Sequence, residues 1–479
     1  MKPTLLLFLI AGVILLGLAA ESPTQPPEAA TGFDDQSNGF SDPVRRLADQ
    51  KFFEEVEHIV PDGLGPLYNA QSCRECHQTP VTGAASQVME LRVGHLDAHH
   101  QFQTPEIPIN HGAEIIKDRN LINDRAICPE IQERVPETET VRTTRLTTNA
   151  LGDGYVEAIS DETLLKIRKD QCKASRGKIC GQAIKVLVPE SEGADRIGRF
   201  GWKDQHASLL AFAADAYLNE MGITSHLQPT EVTTACNPAV TTIIPNTDPT
   251  KITEPNSLPD PGDNNLEDID HFASFMRSLK APARDTATTP EVMQGEQLFT
   301  KIGCASCHVD TIVTGKSPAA PGGPGLHPDA LENRTIHPYS DFLLHNVGTG
   351  DGISIALIEH FGRERVHRRM RELEGARPGT KQPTKGKPED ECSESYQTAV
   401  LEGEKHPDVL RDTLCARNKI RTAPLWGLRV RSRLMHDGAS VELSEAIRRH
   451  QGEAEEVTER FVKLKPAEKK ALLAFLQSL

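Results

Sequence analysis

The chain of 479 residues is poor in aromatic side chains, which make up 5% of it with two Trp and five Tyr, and it holds seven Met. A core of that composition is short of large apolar groups and needs bulk from another source. There is no excess of positive charge. Fifty-three Lys and Arg against 68 Asp and Glu leave a net charge of −15, which argues against nucleic acid as a partner and suits a basic one. Beyond residue 20 no apolar run is long enough to span a bilayer. Met1-Lys2, the apolar stretch from Leu5 to Leu18 and Ala19-Ala20 have the layout of a secretory signal peptide over residues 1–20, and no cysteine follows to carry a lipid anchor. The expectation is an exported, periplasmic protein with no stable membrane insertion after signal cleavage; an uncleaved anchor is the alternative.

What the chain does have is two Cys-x-x-Cys-His pentads, Cys73-Arg74-Glu75-Cys76-His77 and Cys304-Ala305-Ser306-Cys307-His308. With 10 Cys and 18 His in the chain, chance supplies about 0.008 such pentads, so two are not accidental. The spacing is that of c-type haem attachment: two thiols add across the two vinyl groups of one porphyrin, and the adjacent imidazole reaches the iron. Two covalently attached c-type haems are therefore expected, on Cys73 and Cys76 and on Cys304 and Cys307, with His77 and His308 as iron ligands. They would supply the apolar bulk that the composition lacks. A zinc or disulfide Cys-x-x-Cys beside an incidental His would need the same coincidence twice. Cys128, Cys172, Cys180, Cys236, Cys392 and Cys415 remain, an even number that suggests up to three disulfides in an oxidising compartment. Cys172 with Cys180 is the favoured pair and Cys392 with Cys415 a second; the full connectivity stays open.

A small c-type cytochrome opens with a helix running into its pentad and closes with a helix packed across the first. The chain shows that plan twice. Gly295-Glu296-Gln297-Leu298-Phe299 leads into Cys304 at helical spacing, and Leu472-Leu473-Ala474-Phe475-Leu476-Gln477-Ser478-Leu479 closes that copy. Leu47, Phe52, Phe53 and Val56 precede the first pentad, and Phe272-Ala273-Ser274-Phe275-Met276-Arg277-Ser278-Leu279 closes it in the same register. The expected fold is mainly α: two cytochrome-c-like haem domains, residues 30–282 and 283–479, with long irregular insertions. Residues 237–265, 317–325 and 375–391 have the Pro, Gly, Asp and Lys content of surface connections. Arg363, Arg365, His367, Arg368, Arg369 and Arg371 read as the solvated face of a charged helix.

The sixth position on the iron decides the chemistry: Met or a second His closes it for electron transfer, and an open side admits peroxide or oxygen. Met435, in a Gly-containing turn ahead of the second closing helix, is the candidate ligand for the second haem, with His436 as its rival. For the first haem, His95, His99, His100 and His111 are weak candidates from one polar segment. Peroxide cleavage needs a group that moves a proton between the two oxygens, and Glu157 is the catalytic candidate, with a buried helix-capping or a surface carboxylate as the plainer reading. Trp202 and Trp426 are core residues, or relays between the haems.

The chain resembles the di-haem cytochrome c peroxidase superfamily, and more closely its branch called di-haem oxidoreductase, also labelled thiol oxidoreductase. The resemblance runs through Asn38-Gly39-Phe40, residues 65–70, 198–203 and 221–225, the second pentad, Tyr339-Ser340-Asp341-Phe342-Leu343-Leu344-His345 and residues 421–438. It implies haems facing a shared interface, the N-terminal one reacting with hydrogen peroxide and the C-terminal one receiving electrons from a small donor protein, a cytochrome c or a cupredoxin. It also implies a calcium ion between domains, for which Asp34-Asp35-Gln36-Ser37-Asn38 offers oxygens, although an acidic loop is the simpler account. The alternatives are a di-haem oxidase of a protein or organic substrate and a non-catalytic di-haem electron carrier.

Overall fold

The computed structural model describes residues 25–98, 102–191, 194–236, 257, 259–286, 289–318, 324–354 and 416–479. The signal-like segment, His99, His100, Cys392, Cys415 and the Arg363 to Arg371 cluster lie outside them. No helix among the described residues is long and apolar enough to cross a membrane.

The helix leading into the second pentad, Pro290–Ile302, starts where the Thr289 hydroxyl accepts from the Val292 amide, with Pro in its first turn. It stops at Gly303, whose φ of 108° turns the chain directly into Cys304. Val292, Leu298, Phe299 and Ile302 are buried along it and meet the closing helix Pro466–Gln477. The backbones cross at Gly295, where a Cβ would lie 2.0 Å from the Ala471 carbonyl oxygen. Beside that contact the Phe299 and Phe475 rings pack edge-on with centroids 5.3 Å apart, and Ser478 Oγ donates to the Phe475 carbonyl at 2.6 Å.

The first copy repeats the device. Helix Pro43–Glu54, capped by Asp42, packs on Asp268–Ser278. Phe53 lies 4.8 Å from Phe275, and Ser278 Oγ donates to the Phe275 carbonyl at 2.7 Å. Residues 55–72 separate this leading helix from its pentad, and Leu47 and Val56, two of the apolar residues ahead of it, are exposed.

The expectation of a mainly α fold is not met: helix accounts for 34% and strand for 16% of the described residues. Strand Met89–Leu96 is central in a four-stranded sheet, pairing antiparallel with Val141–Leu146 from Met89 opposite Leu146 to Gly94 opposite Val141. Phe102–Gln103 and Leu121–Ile122 also pair with it. The cause is visible in the residues. Met-Glu-Leu-Arg-Val alternates apolar and polar side chains, and Val-Arg-Thr-Thr-Arg-Leu is rich in β-branched residues, the period-2 pattern of a half-buried strand. Val93, Ile107, Ile109, Ile116, Ile122 and Ile131 form a separate core under this insertion. A disulfide between Cys128 and Cys236 ties its margin, and a second joins Cys172 to Cys180. The largest core crosses the expected division at residue 282, since Phe53, Phe272 and Phe275 share it with Phe342 and Trp426.

The aromatic pair should outweigh the hydrogen bond at the helix crossing. Phe475→Ala is expected to cost about 3–5 kcal/mol and Ser478→Ala about 1 kcal/mol in urea unfolding of the holoprotein. Equal costs would contradict this account.

Candidate haem sites

Ser72 Oγ accepts from the Glu75 amide and starts the single helical turn Cys73–Cys76; the second pentad leaves Gly303 as a tighter turn, Cys304–Ser306. In both, the histidine Nδ1 meets a backbone carbonyl: His77 meets Ala84 at 3.1 Å and His308 meets Tyr339 at 2.9 Å. A carbonyl only accepts, so Nδ1 carries the proton and Nε2 keeps the lone pair that can bind iron. Burial pushes both imidazoles down to about 4, which holds them neutral and able to ligate. Phe53 stands 6.1 Å from His77 and Phe299 6.2 Å from His308, ring centroid to ring centroid. None of the four pentad cysteines is in a disulfide. Burial pushes the Cys76 and Cys304 thiols up to about 12 and raises Cys73 and Cys307, so none is a ready thiolate for zinc or for nucleophilic attack.

A cavity of about 280 Å³ opens beside the second pentad. Cys304, Cys307, His308 and Met435 line it, and it extends past Trp202 to Thr79 and Ala84 in the loop after the first pentad. Arg421 and Arg431 face it as well. Arg431 donates only to the Pro424 and Trp426 carbonyls at 2.9 and 3.3 Å; burial, with Arg421 nearby, pulls it down to about 10. Arg421 Nε has no hydrogen-bond partner and lies 3.8 Å from an Asp204 carboxylate that has none either. An apolar cavity with bare imidazole nitrogen, unpaired thiols and under-used guanidinium groups fits a haem and its two propionates.

Met435 shares the cavity with His308 and holds a φ of 67°, unusual for a side chain other than Gly or Asn. His436 also lines the cavity; its ring packs edge-on against Trp202 at 6.1 Å, and Trp202 Nε1 donates to the Leu146 carbonyl at 2.7 Å. Trp426 packs in the large core against Gly152. Glu157 does not line the cavity. It is 1% exposed, takes two bonds from Arg277 at 2.7 and 2.9 Å, and accepts from the Leu209 amide at 2.8 Å, the first turn of helix Leu209–Met221. That is the helix-capping arrangement. His95 lies on the central strand with Nδ1 2.8 Å from Glu139, and His111 is exposed. Asp34 pairs with Lys280 and Asp35 with Arg46, at 2.8 and 2.6 Å, so cations of the chain already occupy both carboxylates.

Sequence reading overlooked Glu57. Burial, with Asp268, Asp62 and Glu55 nearby, pushes it up to about 8, and its charge is felt at Cys73. The Tyr217 hydroxyl donates to Asp268 at 2.8 Å and stands 3.3 Å from Glu57 Oε1. Asp268 lies far along the chain, and no motif links it to Glu57.

Burial alone would raise Glu157, but Arg277 outweighs it and holds the carboxyl below its usual range. The pair's stabilisation is therefore present above the ordinary glutamate range and lost as the pH falls through and below it. Glu157→Gln should cost about 3–5 kcal/mol at neutral pH and flatten the acid limb of the stability curve, measured by urea unfolding against pH.

The chain matches the family described as "Di-haem oxidoreductase, putative peroxidase" over residues 120–386 and 395–479, a span that contains the second pentad and begins after the first. No curated protein sequence matches it. Among solved structures, hydrazine synthase of Kuenenia stuttgartiensis is 12% identical, with 100% of each chain covered and a TM-score of 0.34. A MauG-like protein associated with microbial copper homeostasis is 14% identical, covering 69% of this chain and 89% of that one with a TM-score of 0.25. Likeness at those scores carries no argument here. The family match spans most of the sequence, and on it the chain belongs to the di-haem oxidoreductase family.

Proposed function

We propose that this di-haem oxidoreductase is a periplasmic peroxidase that reduces hydrogen peroxide to water with electrons taken one at a time from a small redox protein. The observation that carries the reading is the cavity common to both halves, with His308 and Met435 at one end, the loop of the first pentad at the other and Trp202 on its wall. Haem at both pentads would supply two one-electron centres, the number that a two-electron reduction needs. His308 and Met435 would hold the second iron as a closed centre for incoming electrons, and the strained backbone at Met435 is typical of a functional position. His77 would hold the first iron. Arg421 and Arg431 would balance the propionates. Glu57, protonated at neutral pH, is the group best suited to release a proton near the first pentad, and the phenol of Tyr217 connects it to Asp268. The two disulfides support an oxidising compartment, and the net charge of −15 supports a donor with a basic face.

Peroxide added to the half-reduced holoprotein should alter the absorption and magnetic-resonance spectra of one haem and leave the other low-spin. Two low-spin haems indifferent to peroxide would make the protein an electron carrier. Met435→Ala should change the ligand field of one haem only; an unchanged spectrum removes it as a ligand. Turnover should fall as the pH rises through about 8, where Glu57 gives up its proton, and Glu57→Gln should slow kcat by about 100-fold or more.

A further inference from the structure

His345 ends the Tyr-Ser-Asp-Phe-Leu-Leu-His stretch, is 1% exposed and lines the cavity beside the second pentad. Its Nδ1 donates to Glu453 Oε2 at 2.9 Å and its Nε2 donates to Asp341 Oδ2 at 2.9 Å. Carboxylates only accept, so both ring nitrogens carry protons and the ring is a cation. The same Nδ1 lies 3.8 Å from Cys307 Sγ, the sulfur next to His308 in the second pentad. Asp341 also accepts from Gln171 Nε2 at 2.8 Å and from the Leu343 amide at 3.0 Å. Glu453 accepts from the Cys180 and Asn346 amides, both at 3.0 Å. Gln171 further donates to the Ser306 carbonyl at 3.2 Å, inside the pentad itself. The cluster therefore has two anions, one cation and a rigid frame, with the positive member against the sulfur.

Cys307, Asp341 and His345 have ligand atoms within 4.8 Å of one another, a spacing that would suit a metal ion. Both His345 nitrogens are already committed to carboxylates, however, and Cys307 belongs to the haem attachment. The cluster is better suited to acting on the haem as a fixed field. Charges buried at this depth are weakly screened by salt and solvent. A cation near the porphyrin favours the reduced state, and an anion opposes it.

We propose that His345, Asp341 and Glu453 set the reduction potential of the haem on the second pentad. The proposal rests on haem attachment at Cys304 and Cys307 as read above. Removing the cation should make that haem harder to reduce, and removing either anion should make it easier.

Spectroscopically resolved potentiometric titration of the holoprotein tests this. His345→Gln should lower the midpoint of the second haem, while Asp341→Asn and Glu453→Gln should raise it. Each shift should be about tenfold in the reduction equilibrium, ~59 mV for one electron, and the first haem should stay unchanged. A merely structural role would move all three variants the same way or not at all, and either result overturns the proposal. Glu453, whose side chain is 18% exposed, keeps the test available if the two interior variants fail to fold. Mass spectrometry of the wild-type protein separates the two readings: absence of haem on Cys304 and Cys307 overturns the attachment and the proposal with it, whereas attached haem with unshifted potentials overturns the proposal alone.

Discussion

Where helices Pro290–Ile302 and Pro466–Gln477 cross, the backbones approach until a Cβ on Gly295 would strike the Ala471 carbonyl, and that closeness fixes how Phe299 stands over His308. The first copy builds the same contact from Phe53 and Phe275, and in both a Ser hydroxyl folds back onto the carbonyl of the closing Phe. In the second copy, once the crossing is set, the pentad leaves the leading helix directly at Gly303, and its histidine meets the Tyr339 carbonyl from a later loop. The imidazole orientation, and with it any iron chemistry, depends on this packing.

Around the crossings the interior holds several paired charges. Lys203 Nζ reaches Asp351 at 2.8 Å and the Arg417 and Lys419 carbonyls at 2.7 and 2.8 Å, clamping together the chain on either side of residues 355–415. Arg145 adds a second bond to Asp351 at 2.8 Å. Glu157 with Arg277 and His345 with its two carboxylates complete the pattern. Such groups are costly to bury unless paired and hydrogen-bonded, so their value lies in holding insertions and loops in one register. Arg421 with Asp204, at the edge of the cavity, differs: the Arg421 Nε and both Asp204 carboxylate oxygens lack hydrogen-bond partners.

The parts of the site that could be read from sequence are those in which covalent chemistry dictates spacing. Two thiols and an imidazole must sit in one pentad to hold one porphyrin, so Cys73 to His77 and Cys304 to His308 are visible without a structure. Met435 is picked out by its place in a turn ahead of the closing helix, and it lines the same cavity as His308. The partners of Glu157 were not legible, because a carboxylate in a largely apolar segment looks the same in sequence whether or not an arginine lies across from it. Glu57 was missed because the burial that perturbs it, and Asp268 beside it, come from packing against segments far along the chain. The β insertion was missed for another reason: its alternating pattern is short, and four histidines drew the reading toward ligands rather than toward strand pairing.

The sequence by itself determined the number of Cys-x-x-Cys-His pentads, the repeated pair of helices that frames each one, and membership of the di-haem oxidoreductase family, because these rest on local spacing and on residues close in the chain. Only the tertiary structure decided which disulfides form among the described residues, that Glu157 pairs with Arg277 and the Leu209 amide, and that His345 lies between two carboxylates beside Cys307. Those outcomes depend on which charges share a low-dielectric interior, and contact between segments far apart in the chain leaves no mark on local order.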